Sequence, residues 1–206
     1  VLCSSDMSDR PRLLVWFPWT LALISEVRSK HQGGVAAIAF FGQGSLMVTA
    51  STGKDARLEV ACWRTGELLA SQRTSDDLVL AIRTCPAKSG RFFTLASDGL
   101  TKWSFVNRSI KRHWTLKQST FLKGLFLDVQ LLYISSEERR RDLIVLTSQG
   151  VLLVFCRREL VYTSRSLGES IRCLSLLKSP SQEPLLLFSD MRSRLTLVTL
   201  SLKERL

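Results

Sequence analysis

The segment Val35–Ser71 reads VAAIAFFGQGSLMVTASTGKDARLEVACWRTGELLAS and holds four short apolar stretches separated by turn-forming residues. These stretches are rich in Val, Ile, Leu and Thr, whereas Gly, Ser, Lys and Asp fill the intervals, which is typical of β-strands joined by tight turns. The segment therefore predicts four successive antiparallel strands, at 35–40, 45–50, 57–60 and 67–71.

The same four-strand pattern recurs along the rest of the chain. A second copy covers 78–116, a looser third covers 125–163, a fourth runs from 170 to 202, and 1–27 supplies the back half of a preceding unit. A four-stranded sheet cannot bury both of its faces alone, so such units are expected to stack on one another. The pattern predicts an all-β chain that forms part of a β-propeller with four-stranded antiparallel blades.

The spacing of equivalent positions supports this prediction. If third-strand positions are matched between units, the intervals are 45, 42, 52 and 43 residues, counted between Trp16, Ala61, Trp103, Phe155 and Val198. A propeller blade repeats at roughly 40–45 residues. The long interval contains the charged run 137–142, which we expect to form a solvated hairpin loop because it cannot be buried.

The predicted blades number about four to five, fewer than many closed propellers use. Their approximate limits are 1–29 (incomplete), 30–73, 74–117, 118–166 and 167–206. We therefore expect the chain to belong to a longer protein or a complex. An ordinary antiparallel sandwich or barrel is the alternative for a repeat this degenerate.

Composition narrows the class of protein. Apolar residues make up 45% of the chain, yet no apolar run approaches the roughly 18 residues that a membrane-spanning helix needs, so we expect no membrane insertion. The five cysteines form no CxxC pair, which favours reduced, buried thiols and a cytosolic compartment. Neither a zinc site nor any other cofactor is expected.

The net charge of +11 favours an acidic partner. Basic residues recur in turns and at strand ends, and the turns of successive blades gather on two rims. We therefore predict basic rims formed from Arg28, Lys30, Lys54, Arg57, Lys88, Arg91, Arg108, Lys111, Arg112, Arg139, Arg140 and Arg141.

The unit that begins at Lys30 has the layout of a WD repeat, and it ends with Val60–Ser71, which reads VACWRTGELLAS. This run resembles the V-W-D-W-x-x-G-E-x-L-A-S blade end of the echinoderm microtubule-associated protein-like family. Leu14–Leu21 (LVWFPWTL) and Lys102–Phe105 (KWSF) are similar to two further strands, and Val154–Val161 is weakly so. The resemblance implies a propeller that contacts tubulin or microtubules, with a cytoskeletal location that can include the cilium or centriole.

The chain departs from that pattern because it lacks the Trp-Asp dipeptide. The hydrogen-bond network that the resemblance would place across His31, Ser51, Asp55 and a strand tryptophan is therefore expected to be incomplete. We interpret the residues at these special positions as structural, namely His31, Asp55, Trp16, Trp63 and Trp103.

No enzymatic motif accompanies the candidate reactive groups. His31 and His113 are the possible general bases, but neither lies near a nucleophile signature. Cys156 precedes two arginines that could lower its pKa, although a packing role is favoured because strand neighbours alternate faces. The tryptophans could stack on bases beside Lys102 or Arg112, but core packing is favoured for most of them.

These observations predict a non-enzymatic scaffold that binds acidic protein surfaces through basic rims and is associated with microtubules or the cytoskeleton. The alternative is an RNA-associated propeller in a ribonucleoprotein assembly, whose basic rim would follow phosphates.

Overall fold

The computed structural model describes residues 1–6, 8–52, 56–74, 78–85, 90–96, 99–117, 126–133, 141–156, 159–167, 171–178, 184–190, 192 and 194–199. Within these residues, every regular element is a β-strand, and the strands form five antiparallel sheets. The structure thus confirms the all-β class and the four-stranded antiparallel blade.

The strands are β1 (Leu2–Ser5), β2 (Arg12–Trp16), β3 (Leu23–Arg28), β4 (Val35–Phe41), β5 (Leu46–Ser51), β6 (Arg57–Cys62), β7 (Glu67–Arg73), β8 (Val79–Thr84), β9 (Arg91–Ala96), β10 (Gly99–Val106), β11 (Ser109–Lys117), β12 (Phe126–Tyr133), β13 (Arg141–Thr147), β14 (Leu152–Cys156), β15 (Glu159–Thr163), β16 (Ile171–Lys178), β17 (Pro184–Asp190) and β18 (Leu195–Thr199). Sheet 1 contains β1–β3, sheet 2 β4–β7, sheet 3 β8–β11, sheet 4 β12–β15 and sheet 5 β16–β18, each paired in chain order.

A β-bulge recurs at the same place in sheets 1 to 4, between the last two strands of each sheet. The register shifts immediately before the equivalent third-strand residues Trp16, Ala61, Trp103 and Phe155. A second bulge recurs near the start of the first strand of sheets 2 to 5. Since a bulge bends its strand and increases the local twist, each sheet is shaped in the same way, and the equivalence predicted for these four residues is confirmed.

The chain divides into two compact units, Val1–Lys117 and Gln118–Leu206. In the first unit, sheets 1 and 2 enclose a core that includes Val15, Met47 and Trp63. Sheets 2 and 3 enclose another that includes Val48 and Trp103. Because neighbouring strand residues point to opposite faces, sheet 2 is buried on both sides.

The second unit repeats this arrangement with sheets 4 and 5. Its core contains Ile144 and Val154 from sheet 4 and Leu174 and Phe188 from sheet 5. Asp128 is buried at 4% exposure and accepts a hydrogen bond of 3.0 Å from the Leu174 amide. The Gln130 side chain donates to the Leu174 carbonyl at 2.7 Å. The first strands of the two sheets are thereby joined through polar side chains.

In the first unit the connections between strands lie at the two opposite ends of the strands, because successive antiparallel strands reverse direction. Each end forms one edge of the stacked sheets. We call the edge that holds the β1–β2, β3–β4, β5–β6, β7–β8 and β9–β10 connections the loop edge, and the other the turn edge. Thr52 donates its amide to Gly34 and Thr74 its hydroxyl to Ala56, which ties loop-edge connections together.

Two sequence predictions need correction. Arg141 was expected in a solvated loop, but it begins β13 and pairs with Tyr133. Residues 137–140 of the charged run lie outside the described residues. Among the cysteines whose burial the structure describes, Cys85 is buried as expected, whereas Cys3 and Cys62 are partly exposed because both lie on strands near the turn edge.

A buried polar network lies where sheet 1 leads into sheet 2. Glu59 is 2% exposed and accepts hydrogen bonds from the Ser29 hydroxyl at 2.7 Å and the Lys30 amide at 3.1 Å. His31 is fully buried, with its Nε2 atom 2.8 Å from Thr49 Oγ1 and 3.8 Å from the Glu59 carboxylate. The network fastens the β3–β4 connection to the centre of sheet 2.

The hydroxyl partner of His31 differs from the one that the resemblance implied. Ser51 instead accepts a 2.8 Å hydrogen bond from the Arg57 amide, and Asp55 lies outside the described residues. Thr49 contacts His31 because it lies opposite Glu59 in the β5–β6 register, so both polar side chains occupy one face.

The three tryptophans interpreted as structural each donate their indole N–H within the first unit. Trp103 is buried and donates to Thr94 Oγ1 at 2.8 Å. Trp63 is buried and donates to the Gly44 carbonyl. Trp16 is half-buried and donates to Ser4 Oγ at 2.9 Å. These contacts support the structural interpretation of the three residues.

Replacing Glu59 should destabilise the fold. Glu59→Ala removes the acceptor of the buried Ser29 hydroxyl and of the partly buried Lys30 amide, and we expect the free energy of unfolding to fall by about 3 kcal/mol. Glu59→Gln keeps an acceptor oxygen and the side-chain volume, so its loss should be smaller. Urea denaturation measures both. An unchanged unfolding free energy for Glu59→Ala would show that the network does not stabilise this chain.

Candidate interaction surface at the turn edge

The predicted basic residues do not form one rim. Arg28, Lys30 and Arg57 lie at or beside the loop edge, whereas Arg91, Arg108, Lys111 and Arg112 lie towards the turn edge. Lys54, Lys88, Arg139 and Arg140 lie outside the described residues, and Arg141 is placed only as the first residue of β13.

The two edges differ in their acidic residues. Among the described residues of the loop-edge connections, Asp6 and Asp9 precede β2 and are accompanied by Arg10 and Lys30, so positive and negative charges balance there. The described turn-edge connections, 17–22, 42–45, 63–66 and 107–108, contain Arg64 and Arg108 and have no Asp or Glu. The turn edge therefore carries the clearer excess of positive charge.

Ion pairs neutralise part of the charge beside the loop edge. The Arg12 guanidinium lies 3.0 Å from Asp6 and 4.0 Å from Glu26, which also lies 4.0 Å from Arg28. Hydrogen bonds from the Arg12 amide and the Ser8 hydroxyl lower the pKa of Asp6 below its usual range, which keeps this carboxylate ionised.

Side-chain packing orients the basic residue of the β6–β7 turn. The Arg64 guanidinium lies 4.6 Å from the centre of the Trp63 ring, a cation–π distance. Trp63 itself is anchored, because its indole donates to Gly44 and its carbonyl accepts from the Ser25 hydroxyl. A buried ring thus supports the exposed Arg64 charge at the turn edge.

The same edge continues onto sheet 3. Arg108, in the β10–β11 turn, pairs with Glu67 at the start of β7. Exposed Lys111 and Arg112 follow on β11, where they lie opposite Ser104 and Trp103. We call Arg64, Arg108, Lys111 and Arg112 the basic strip.

An apolar hairpin precedes the strip on sheet 1. The β2–β3 connection is closed by hydrogen bonds from the Phe17 amide to Ala22 and from the Leu21 amide to Phe17. The side chains of Phe17, Trp19 and Leu21 are 45%, 86% and 67% exposed. Sequence reasoning missed this feature because it assigned most tryptophans to packing. The uncharged run Phe17–Ser25 could have indicated an exposed apolar turn, because Pro18 interrupts a strand and favours a turn there.

The catalytic candidates do not assemble into a reactive site. His31 is buried in the structural network, whereas His113 is exposed on β11 and contacts the Ser104 hydroxyl at 2.8 Å. The side chain of Cys156 lies outside the described residues. In the described part of the chain, no group of three or more His, Cys, Asp or Glu side chains could hold a metal ion.

The second unit contains an open recess of about 600 Å³ lined largely by apolar side chains. Its two charged residues contact each other, since Arg194 donates to Asp190 at 2.8 Å. The Arg194 amide is the main reason why the pKa of Asp190 is lowered. The carboxylate is thus engaged and ionised, which does not suit a general acid.

Comparisons with known proteins identify the fold. No protein-family model matches the sequence. The β-propeller domain of Cps50 (Swd1) from Myceliophteria thermophila is similar, with a TM-score of 0.73 and 15% identity over 98% of this chain and 63% of that chain. Sqt1 from Saccharomyces cerevisiae has a TM-score of 0.68 and 12% identity over 95% of this chain and 55% of that chain.

These similarities show a β-propeller fold, while neither of the two structures lends support to the echinoderm microtubule-associated protein-like family. The chain spans 63% and 55% of the lengths of the two solved proteins. Within the described residues, no helix is long and apolar enough to cross a membrane.

The cysteines near the turn edge should differ in reactivity. Hydrogen bonds from the Thr65 side chain and backbone lower the pKa of Cys62, whereas burial raises the pKa of Cys3 to about 11. At mildly alkaline pH, Cys62 should hold more thiolate and be alkylated faster by iodoacetamide, as measured by peptide mapping. Thr65→Val should slow the Cys62 reaction, and faster alkylation of Cys3 would contradict the expectation.

Proposed function

We propose that this chain is a non-enzymatic protein-interaction scaffold whose turn edge binds an acidic protein segment. The observation that carries the proposal is the charge of the described turn-edge connections, which contain Arg64 and Arg108 and have no Asp or Glu. An excess of one sign of charge on an exposed edge attracts and orients ligands of the opposite sign.

The geometry of the basic strip suits a protein ligand. Arg64 rests on the Trp63 ring, so less side-chain freedom is lost when a carboxylate binds its guanidinium. Arg108 is paired with Glu67 on the surface, and such an exposed pair contributes little stability. An incoming carboxylate can therefore replace Glu67 at small cost.

The fold is consistent with a scaffold. Propeller blades expose their connecting turns while their strands form the core, and exposed turns are where binding residues concentrate. Because His31 and Asp190 are held in internal contacts, the structure offers no assembled pair of catalytic groups among the described side chains.

We further propose that the acidic segment belongs to the cytoskeleton, with the acidic tails of tubulin as the first candidate. This step rests on the sequence resemblance of Val60–Ser71 and the flanking strands to a microtubule-associated family. A cytoplasmic location on the cytoskeleton, including the cilium or centriole, is part of the same proposal.

Charge reversal tests which edge binds. The triple variant Arg64→Glu, Lys111→Glu, Arg112→Glu should weaken binding to a polyglutamate peptide and to microtubules by at least about tenfold, because the electrostatic attraction becomes repulsion. The matched control, Arg10→Glu, Arg28→Glu, Lys30→Glu, changes net charge equally at the loop edge and should bind almost as the parent does. Fluorescence anisotropy and microtubule co-sedimentation measure the two interactions.

Three outcomes would change the proposal. Equal losses in both triple variants would mean that net charge alone governs binding, and the turn-edge site would be abandoned. Peptide binding without pelleting, or pelleting that survives removal of the tubulin tails, would remove tubulin tails as the partner. Retained RNA that competes with the peptide would favour the ribonucleoprotein alternative, since phosphates would then occupy the basic strip.

A further inference from the structure

The hairpin formed by 17–22 is a rigid apolar projection beside the basic strip. Two backbone hydrogen bonds, from the Phe17 amide to Ala22 at 2.9 Å and from the Leu21 amide to Phe17 at 2.8 Å, close the turn. Trp19 is the most exposed of the large apolar side chains in the described residues, at 86%. Aromatic side chains held in this way are preferred anchors at protein interfaces.

The backbone conformation of Leu21 shows that a leucine side chain does not stabilise this turn. Leu21 has a φ of +53°, and Gly66, the last residue of the equivalent turn in sheet 2, has a φ of +73°. Glycine adopts this left-handed region freely, whereas a bulky side chain is disfavoured there. Leucine at this position therefore strains the turn while it adds exposed apolar surface.

The hairpin and the Arg64 turn are neighbours. The Ser25 hydroxyl, at the start of β3, donates to the Trp63 carbonyl. A Cβ atom placed on Gly66 would lie 3.2 Å from the Glu26 carbonyl oxygen. The β6–β7 turn therefore packs against the strand that leaves the hairpin.

These positions lie in one order along the turn edge, because sheets 1, 2 and 3 pack in sequence. The hairpin comes first, Arg64 lies on the next sheet, and Arg108 and Arg112 lie on the third. The apolar hairpin therefore lies at the sheet 1 end of the basic strip.

We propose that the hairpin is an apolar anchor site for the same ligand, so that the partner is an acidic segment with an aromatic or aliphatic residue at one end. This inference rests on the proposed function. The apolar residue packs on Trp19 and Leu21, and the following carboxylates lie along Arg64, Arg108 and Arg112. A ligand with both features is bound in one direction and is preferred over one that is only acidic.

Two labelled peptides test the proposal by fluorescence anisotropy with the full chain. One is polyglutamate that begins with Leu-Phe-Leu, and the other replaces that start with Ser-Gly-Ser. Trp19→Ser should weaken binding of the first peptide about tenfold, in the range expected for an aromatic anchor, and leave the second unchanged. Leu78→Ser removes another exposed apolar group, beside the loop edge, where Leu78 is 45% exposed, and should affect neither.

Leu21→Gly is a second variant that should not impair folding, because glycine suits the positive φ of this position. It should weaken binding of the first peptide as well, while the thermal unfolding temperature stays the same or rises. This result would separate loss of the anchor from loss of the fold.

The outcomes distinguish the inference from the proposed function. If Trp19→Ser and Leu21→Gly change neither peptide while the strip triple variant weakens both, the anchor site is wrong and the scaffold proposal stands. If the strip triple variant weakens neither, both fail. Trp19-dependent binding to phosphatidylserine vesicles, with no discrimination between peptides, would replace the protein ligand by a membrane surface.

Discussion

Both faces of sheet 2 are apolar, and this constraint governs the packing of the first unit. Met47 and Val48 are adjacent on β5 and point to opposite sides, yet both are fully buried, one against sheet 1 and the other against sheet 3. Burying such side chains provides the main favourable free energy of folding. Since a lone sheet leaves both faces in water, sheets of this kind are stable only when they pack on one another.

Packing of this kind leaves few places for polar groups. Inside the first unit they occur as satisfied contacts, such as Trp103 with Thr94 and Glu59 with the β3–β4 connection. The Glu59 contact also joins a connection to the next sheet, and Asp128 joins two sheets in the second unit. Charged side chains without partners are excluded from the buried sheet faces by their desolvation cost, so they lie near the ends of the strands, as in the basic strip. The apolar hairpin lies at the same edge.

Much of the fold follows from local pattern. Short apolar stretches between turn residues predicted the strands of sheets 2 and 3 to within a few residues. The repeat period of the sequence also identified Trp16, Ala61, Trp103 and Phe155 as equivalent positions, and a bulge precedes each of them. The positions of residues that depend on pairing with a neighbouring strand were harder to predict. Thr49 and not Ser51 meets His31, because the β5–β6 register brings Thr49 opposite Glu59. Arg141 joins a strand despite its charge, because β12 extends far enough for Tyr133 to pair with it.

By itself, the sequence determined the all-β class, the four-strand repeat and the net positive charge, because these properties depend on the order and composition of neighbouring residues. Only the tertiary structure decided which edge each charge occupies and which aromatic side chains stay exposed. Trp63 and Trp19 occur in similar turns, yet Trp63 is covered by sheets 1 and 2 whereas Trp19 projects into solvent. That difference arises from contacts between sheets, and residues distant in sequence make those contacts.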